Sequence, residues 1–136
     1  MKKTNRSIID TYTTIYFVDI VVANEYTTLE ELKKLYTYMD KEELDDCILN
    51  GQCTVSTVKR KSDKVDCILV KYNHDITNPN IDIEADRINT ISHEATHVAL
   101  DIYEAINQNV CFCSPEPFCY LVGYAGECIY KTLNKQ

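Results

Sequence analysis

The run from Asp82 to Ile106 constrains this chain more than any other stretch. Apolar residues recur there at helical spacing: Ile91, Ala95, Val98 and Ile102 form one stripe at about 100° per residue. A helix of that length must bury its stripe against another layer, which excludes an all-β fold. The same run carries Ser92-His93-Glu94-Ala95-Thr96-His97, an H-E-x-x-H arrangement that holds two of the three histidines. Residues four apart stand one above the other on a helix, so His93 and His97 present two imidazoles to one point. They fall roughly 130–170° from the centre of the apolar stripe, which argues against histidines packed in the core. A solvated helix face that happens to carry two histidines is the competing reading. Glu94 follows the first imidazole directly and brings a carboxylate close to a metal-activated water. Two nitrogen donors, a Lewis acid and a base are what a zinc hydrolase needs.

A catalytic zinc takes three protein ligands and leaves one position open. The stretch Cys111-Phe112-Cys113-Ser114-Pro115-Glu116-Pro117-Phe118 reads as a helix start, with Ser114 as N-cap, Pro115 at the first helical position and Glu116 in the first turn. A closing helix over residues 114–133 returning antiparallel turns Glu116 towards the histidine pair. Glu127 lies on nearly the same face, about 16 Å further along, so only one of the two reaches the metal. Glu116 is the expected third ligand, against the alternative of an acid that merely complements the helix dipole. Tyr120 and Tyr124 share its side of the helix and are candidates to steady the oxyanion, although tyrosines at the edge of a core look the same in sequence. His74 follows a strand and is read either as a solvated loop residue or as a donor in a substrate pocket.

Residues 87–133 resemble the gluzincin metallopeptidases, in which an H-E-x-x-H helix is followed by a glutamate on a second helix. More narrowly, Glu116-Pro117-Phe118-Cys119-Tyr120-Leu121-Val122-Gly123-Tyr124 is similar to the E-x-x-x-Y-L-x-G-Y helix of small phage-encoded metallopeptidases. The resemblance covers the last third of the chain and implies a minimal zincin fold, a bound Zn2+ and peptide hydrolysis. It also implies an infected host cell or a virion as the setting. Larger gluzincins often place an acid four residues after the glutamate ligand. That place is Tyr120 here, and Asp101 is the residue able to substitute for it.

At 136 residues the chain is expected to form a single domain, residues 1–136, with a hydrophobic core of its own. A net charge of −7 argues against a nucleic-acid partner. Met1-Lys2-Lys3 opens a polar lead without the apolar block of a signal peptide, and the stretch from Ile15 to Val22 is too short to span a membrane. A soluble chain, cytoplasmic or carried in a virion, is the expectation. The seven cysteines, Cys47, Cys53, Cys67, Cys111, Cys113, Cys119 and Cys128, are odd in number. They are read as reduced, small apolar residues, with Cys119 and Cys128 packing on the last helix. Cys111-x-Cys113 with Cys119 is a weaker, rival metal set.

The run from Tyr12 to Val22 is rich in Thr, Tyr, Val and Ile and predicts one strand. Thr28 caps a helix that begins at Leu29, with Leu29, Leu32, Leu35 and Met39 as its apolar face. Residues 41–49 are helical or irregular. Residues 52–59 and 64–72 predict a hairpin turned at Lys61-Ser62-Asp63, and residues 73–80 a loop. The expected fold is α+β, a small sheet with a hairpin packed against the H-E-x-x-H helix and the C-terminal helix, one hairpin strand offering an edge to an extended substrate. The expected function is zinc-dependent hydrolysis of a peptide or protein, with Glu94 as general base. The alternative is a non-catalytic phage protein, structural or directed against host defence, that keeps the zinc site.

Overall fold

The structure is a computed structural model that describes residues 5–40, 43–73 and 80–135. Strands β1 (Ile9–Tyr12), β2 (Asp19–Ala23), β3 (Tyr36–Tyr38), β4 (Cys53–Arg60) and β5 (Asp66–Tyr72) form one sheet in the order β1-β2-β5-β4-β3. The β2–β5 pairing is parallel and the others are antiparallel. Helices α2 (Ile83–Ala105) and α3 (Glu116–Leu133) cover one face, and α1 (Leu29–Leu35) with a 3-10 turn at Asp46–Leu49 covers the other. The α+β class is as expected from the sequence.

Alternation along the strands builds two cores. Ile20, Val22, Ile68 and Val70 point to the face shared with Ala95, Val98, Ile102, Leu121, Ala125 and Ile129. Val21, Ala23, Cys67, Leu69 and Val58 point to Leu32, Tyr36, Leu44 and Ile48. Both faces of β2 and β5 are therefore apolar, as a buried parallel pair requires. Lys71 is the exception at 1% exposure, and its ammonium donates to the carbonyls of Asn24 (3.0 Å) and Tyr72 (2.8 Å). Burial lowers the pKa of that ammonium.

Three local expectations need correction. Residues 12–22 are not one strand but the end of β1, a turn, and most of β2. The Thr14 hydroxyl makes that turn by donating to the Val18 carbonyl (2.7 Å) and accepting from the Tyr16 N–H (3.1 Å), while Phe17 takes φ 60°. Helix α1 has its expected capping box, Thr28 Oγ1 accepting from Glu31 N–H and Glu31 Oε2 from Thr28 N–H. It stops at Leu35, however, because Tyr36-Thr37-Tyr38 pairs with residues 58–60 of β4, leaving Met39 exposed and outside any helix. In α3 the N-cap is Pro115 rather than Ser114, with Pro117 in the first turn and no side-chain cap bond. With no N–H on either proline, the Cys119 N–H closes the first turn onto the Pro115 carbonyl at 3.0 Å.

The hairpin of β4 and β5 and the long motif helix follow the expected bounds within a few residues. Asp82 caps α2 by accepting from the Glu84 and Ala85 N–H groups, both at 3.1 Å. The predicted loop over residues 73–80 lies mostly outside the described residues, and His74 with it. Among the described residues no helix is long and apolar enough to cross a membrane.

Candidate metal centre

The helix α2 buries Ala95, Val98, Ala99 and Ile102 and leaves His93 and His97 on its outer flank. Their Nε2 atoms face each other at 3.1 Å, with ring centroids 4.8 Å apart. Two Zn–N bonds of about 2.0–2.1 Å at a tetrahedral angle separate their nitrogens by about 3.3 Å. The pair is thus spaced for a shared ion without moving the helix. Glu94, half-buried, lines the same recess of about 320 Å3, together with Asp101 and with Cys53, Thr54 and Val55 of β4. Burial raises the Glu94 carboxyl above its ordinary range, and the neighbouring His93 and His97 oppose that rise. Asp101 is also raised, by burial and then by Glu104, with His97 opposing. Burial, and next the Glu94 carboxylate, push the Cys53 thiol up to about 12.

The wall opposite the helix is part of a sheet edge. β3 pairs only with residues 58–60 of β4. Among the described residues no strand covers the remaining half, from Cys53 to Thr57, on the side away from β5. The Thr90 hydroxyl donates to Gln52 Oε1 (3.2 Å), and Asn73 N–H to the Gln52 carbonyl (2.7 Å), which fixes the start of β4 below α2.

Glu116, Tyr120 and Tyr124 stand elsewhere. They line a recess of about 630 Å3 with Pro117, Leu121 and residues 13–16 of the β1–β2 turn. The Tyr124 hydroxyl donates to the Thr13 carbonyl at 2.9 Å, and Tyr120 is exposed. The antiparallel register of the two helices explains the separation. A Cβ on Gly126 would touch Ala95 at 3.7 Å and Ile91 at 3.9 Å, so residue 126 is level with the start of the motif. Glu116 lies ten residues earlier, about 15 Å along the axis. Phe118 packs edge-on against Tyr103, near the end of α2, at 5.2 Å. Glu116 is therefore level with the far end of α2 and is not brought to the histidines. Glu127 sits closer to their level but pairs with Lys131 on an exposed flank.

Neither a family model nor a curated protein nor a solved structure matches this chain.

The recess brings two further potential donors beside the histidines, Asp101 and Cys53, neither of which sequence reasoning had placed as a ligand. Asp101 is one turn beyond His97 on the same face, a spacing visible in the sequence. Cys53 carries no such signal, because its approach depends on how β4 crosses beneath α2. All seven cysteines are free, with Cys67 and Cys128 buried. Cys119 is exposed on the outer face of α3, so the expectation that it packs needs correction. Among the described residues, the one group of three or more His, Cys, Asp or Glu donors drawn within 4.8 Å of one another is Asp45, Asp46 and Cys47, all exposed. Asp45 there already caps the 3-10 turn and accepts from Tyr38 (2.9 Å).

Proposed function

We propose that this chain hydrolyses a peptide or protein with a zinc ion held by His93 and His97 and with Glu94 as general base. The observation that carries this reading is the 3.1 Å approach of the two Nε2 atoms beside a half-buried carboxylate. Zinc bound there supplies a Lewis acid and lowers the pKa of a water towards about 7. Glu94 takes the proton as the water oxygen attacks the carbonyl carbon, then passes it to the amine nitrogen as the C–N bond breaks. Its raised carboxyl suits both transfers, because a base with a pKa nearer the working pH can also act as an acid. The uncovered half of β4 supports the same reading: an extended substrate pairing with residues 53–57 lies across the recess. The setting we infer is a phage-infected cell or a virion, a reading that rests on the helix motif alone.

A second reading, a non-catalytic protein that keeps the metal, is favoured by the distance of Glu116, Tyr120 and Tyr124 from the histidines. Proteome-wide cleavage profiling of the wild type against Glu94→Gln separates the two. New peptide termini that appear with the wild type and vanish with the variant support hydrolysis. Identical profiles from metal-loaded wild type and variant leave the binding protein.

A further inference from the structure

We propose that Cys53 is the third protein ligand of the metal held by His93 and His97, making a site of two imidazoles and one thiolate between a helix and a strand. The inference rests on the reading of the histidine pair as a metal site and departs from it in the choice of the third donor.

A third ligand must come from across the recess. On α2 itself, Asp101 lies about 12 Å beyond His93 and about 6 Å beyond His97 along the axis, too far to close on a point shared by the other two. Glu116 belongs to the other recess. The facing wall is β4, where alternation sends Cys53 and Val55 towards α2 and α3, both packing against the core on that face. Cys53 is the donor on that wall: the Thr54 hydroxyl is engaged instead by the Asn50 carbonyl, to which it donates at 3.0 Å. The height of Cys53 is fixed by its neighbour Gln52, which accepts from Thr90, one turn before His93 and Glu94. Helical side chains lean towards the N-terminus, so the point shared by the two imidazoles lies towards that same end.

The chemistry of the set is coherent. Two imidazoles and a thiolate satisfy three positions of a tetrahedral ion and leave the fourth to the open recess. As the sulfur–metal bond forms, the S–H bond breaks and its proton leaves to solvent. The sulfur does not stand within 4.8 Å of both ring nitrogens, so binding requires it to move towards them as the ion enters.

The test uses the full chain with Co2+ in place of zinc. The wild type should bind one Co2+ with a sulfur-to-metal charge-transfer band in the near ultraviolet. Cys53→Ser should lose that band and weaken binding by more than about a hundredfold, since even outer-shell partners cost tenfold to a hundredfold. The Cys111→Ser, Cys113→Ser double variant should keep both. Should Cys53→Ser fail to fold, zinc-edge X-ray absorption of the Zn2+-loaded Cys111→Ser, Cys113→Ser double variant decides, with one sulfur expected bound to the ion. Cobalt bound without the band, or zinc bound with no sulfur beside it, overturns the thiolate ligand, and loss of that binding in His93→Ala leaves the histidine site standing. Absence of binding, or binding that survives His93→Ala and His97→Ala, overturns the histidine site as well.

Discussion

The Thr90 hydroxyl donates to Gln52 Oε1 at 3.2 Å, and this bond spans the gap between α2 and the start of β4. Thr90 is buried and Gln52 is half-buried, so removing the donor leaves an oxygen with poor access to water. Thr90→Val keeps the shape and should cost about 1 kcal/mol in urea unfolding. Metal affinity should fall with it, because β4 loses its tether beneath His93. Unchanged stability and unchanged affinity would mean that packing alone sets the gap.

Zinc removal should lower the melting temperature without unfolding the chain. The core between the sheet and α2 and α3 contains neither histidine of the pair, so it forms without the ion. Binding to the native state adds about 2.7 kcal/mol at a hundredfold excess of free zinc over its dissociation constant. His93→Ala and His97→Ala should lose that increment, whereas Glu94→Gln should retain it while losing turnover. Calorimetry with and without chelator checks this, and global unfolding on chelation would count against it.

Gly126 and Gly123 occupy the interior of α3 without a steric need for glycine. A Cβ at 126 meets Ala95 and Ile91 at ordinary contact distance, and one at 123 meets nothing within 4 Å. Each Gly→Ala change should stabilise the protein by about 0.5–1 kcal/mol through helix propensity. Chemical unfolding of the two single variants measures it. Destabilisation by Gly126→Ala would show that α2 and α3 pack more closely than these distances allow.

The Arg60 guanidinium binds both Asp63 oxygens, at 2.9 and 2.8 Å, and reaches Asp19 at 2.9 Å. These bonds from Arg60, then the Val65 N–H, hold the Asp63 carboxyl below the usual range. A depressed carboxylate contributes stability above its unfolded pKa, and that contribution is lost as pH falls through the folded value. Wild type should therefore melt above Asp63→Asn at neutral pH, and the gap should close in acid. A gap that stays constant across the acid titration would place the effect in packing rather than charge.

Much of the architecture was legible because it is written in local patterns. The stripe of α2, the Thr28 capping box and the alternation of β4 and β5 each depend on residues close in sequence. The turn between β1 and β2 was not, since Thr13, Thr14, Ile15, Tyr16 and Phe17 have strand-forming side chains and no glycine marks the positive φ at Phe17. Strand β3 was hidden because Leu35 and Met39 continue a helical spacing that pairing with β4 overrides. In the candidate site, His93, Glu94 and His97 come together because one helix carries them. The relation of Glu116 to that group depends on the register between α2 and α3, which sequence spacing does not determine.

The parallel pairing of β2 with β5 has a consequence for how the chain is made. Asp19 pairs with Cys67 and Ala23 with Lys71, so everything from α1 to β4 must emerge from the ribosome before the centre of the sheet can close. Contacts this distant in sequence form slowly. Until they do, Ile20, Val21 and Val22, all buried in the finished fold, have only the short strand β1 to shelter them. The nascent chain thus carries a sticky hairpin while roughly the next fifty residues, up to the end of β5 at Tyr72, are made, which makes residues 19–23 a point where a chaperone has much to protect.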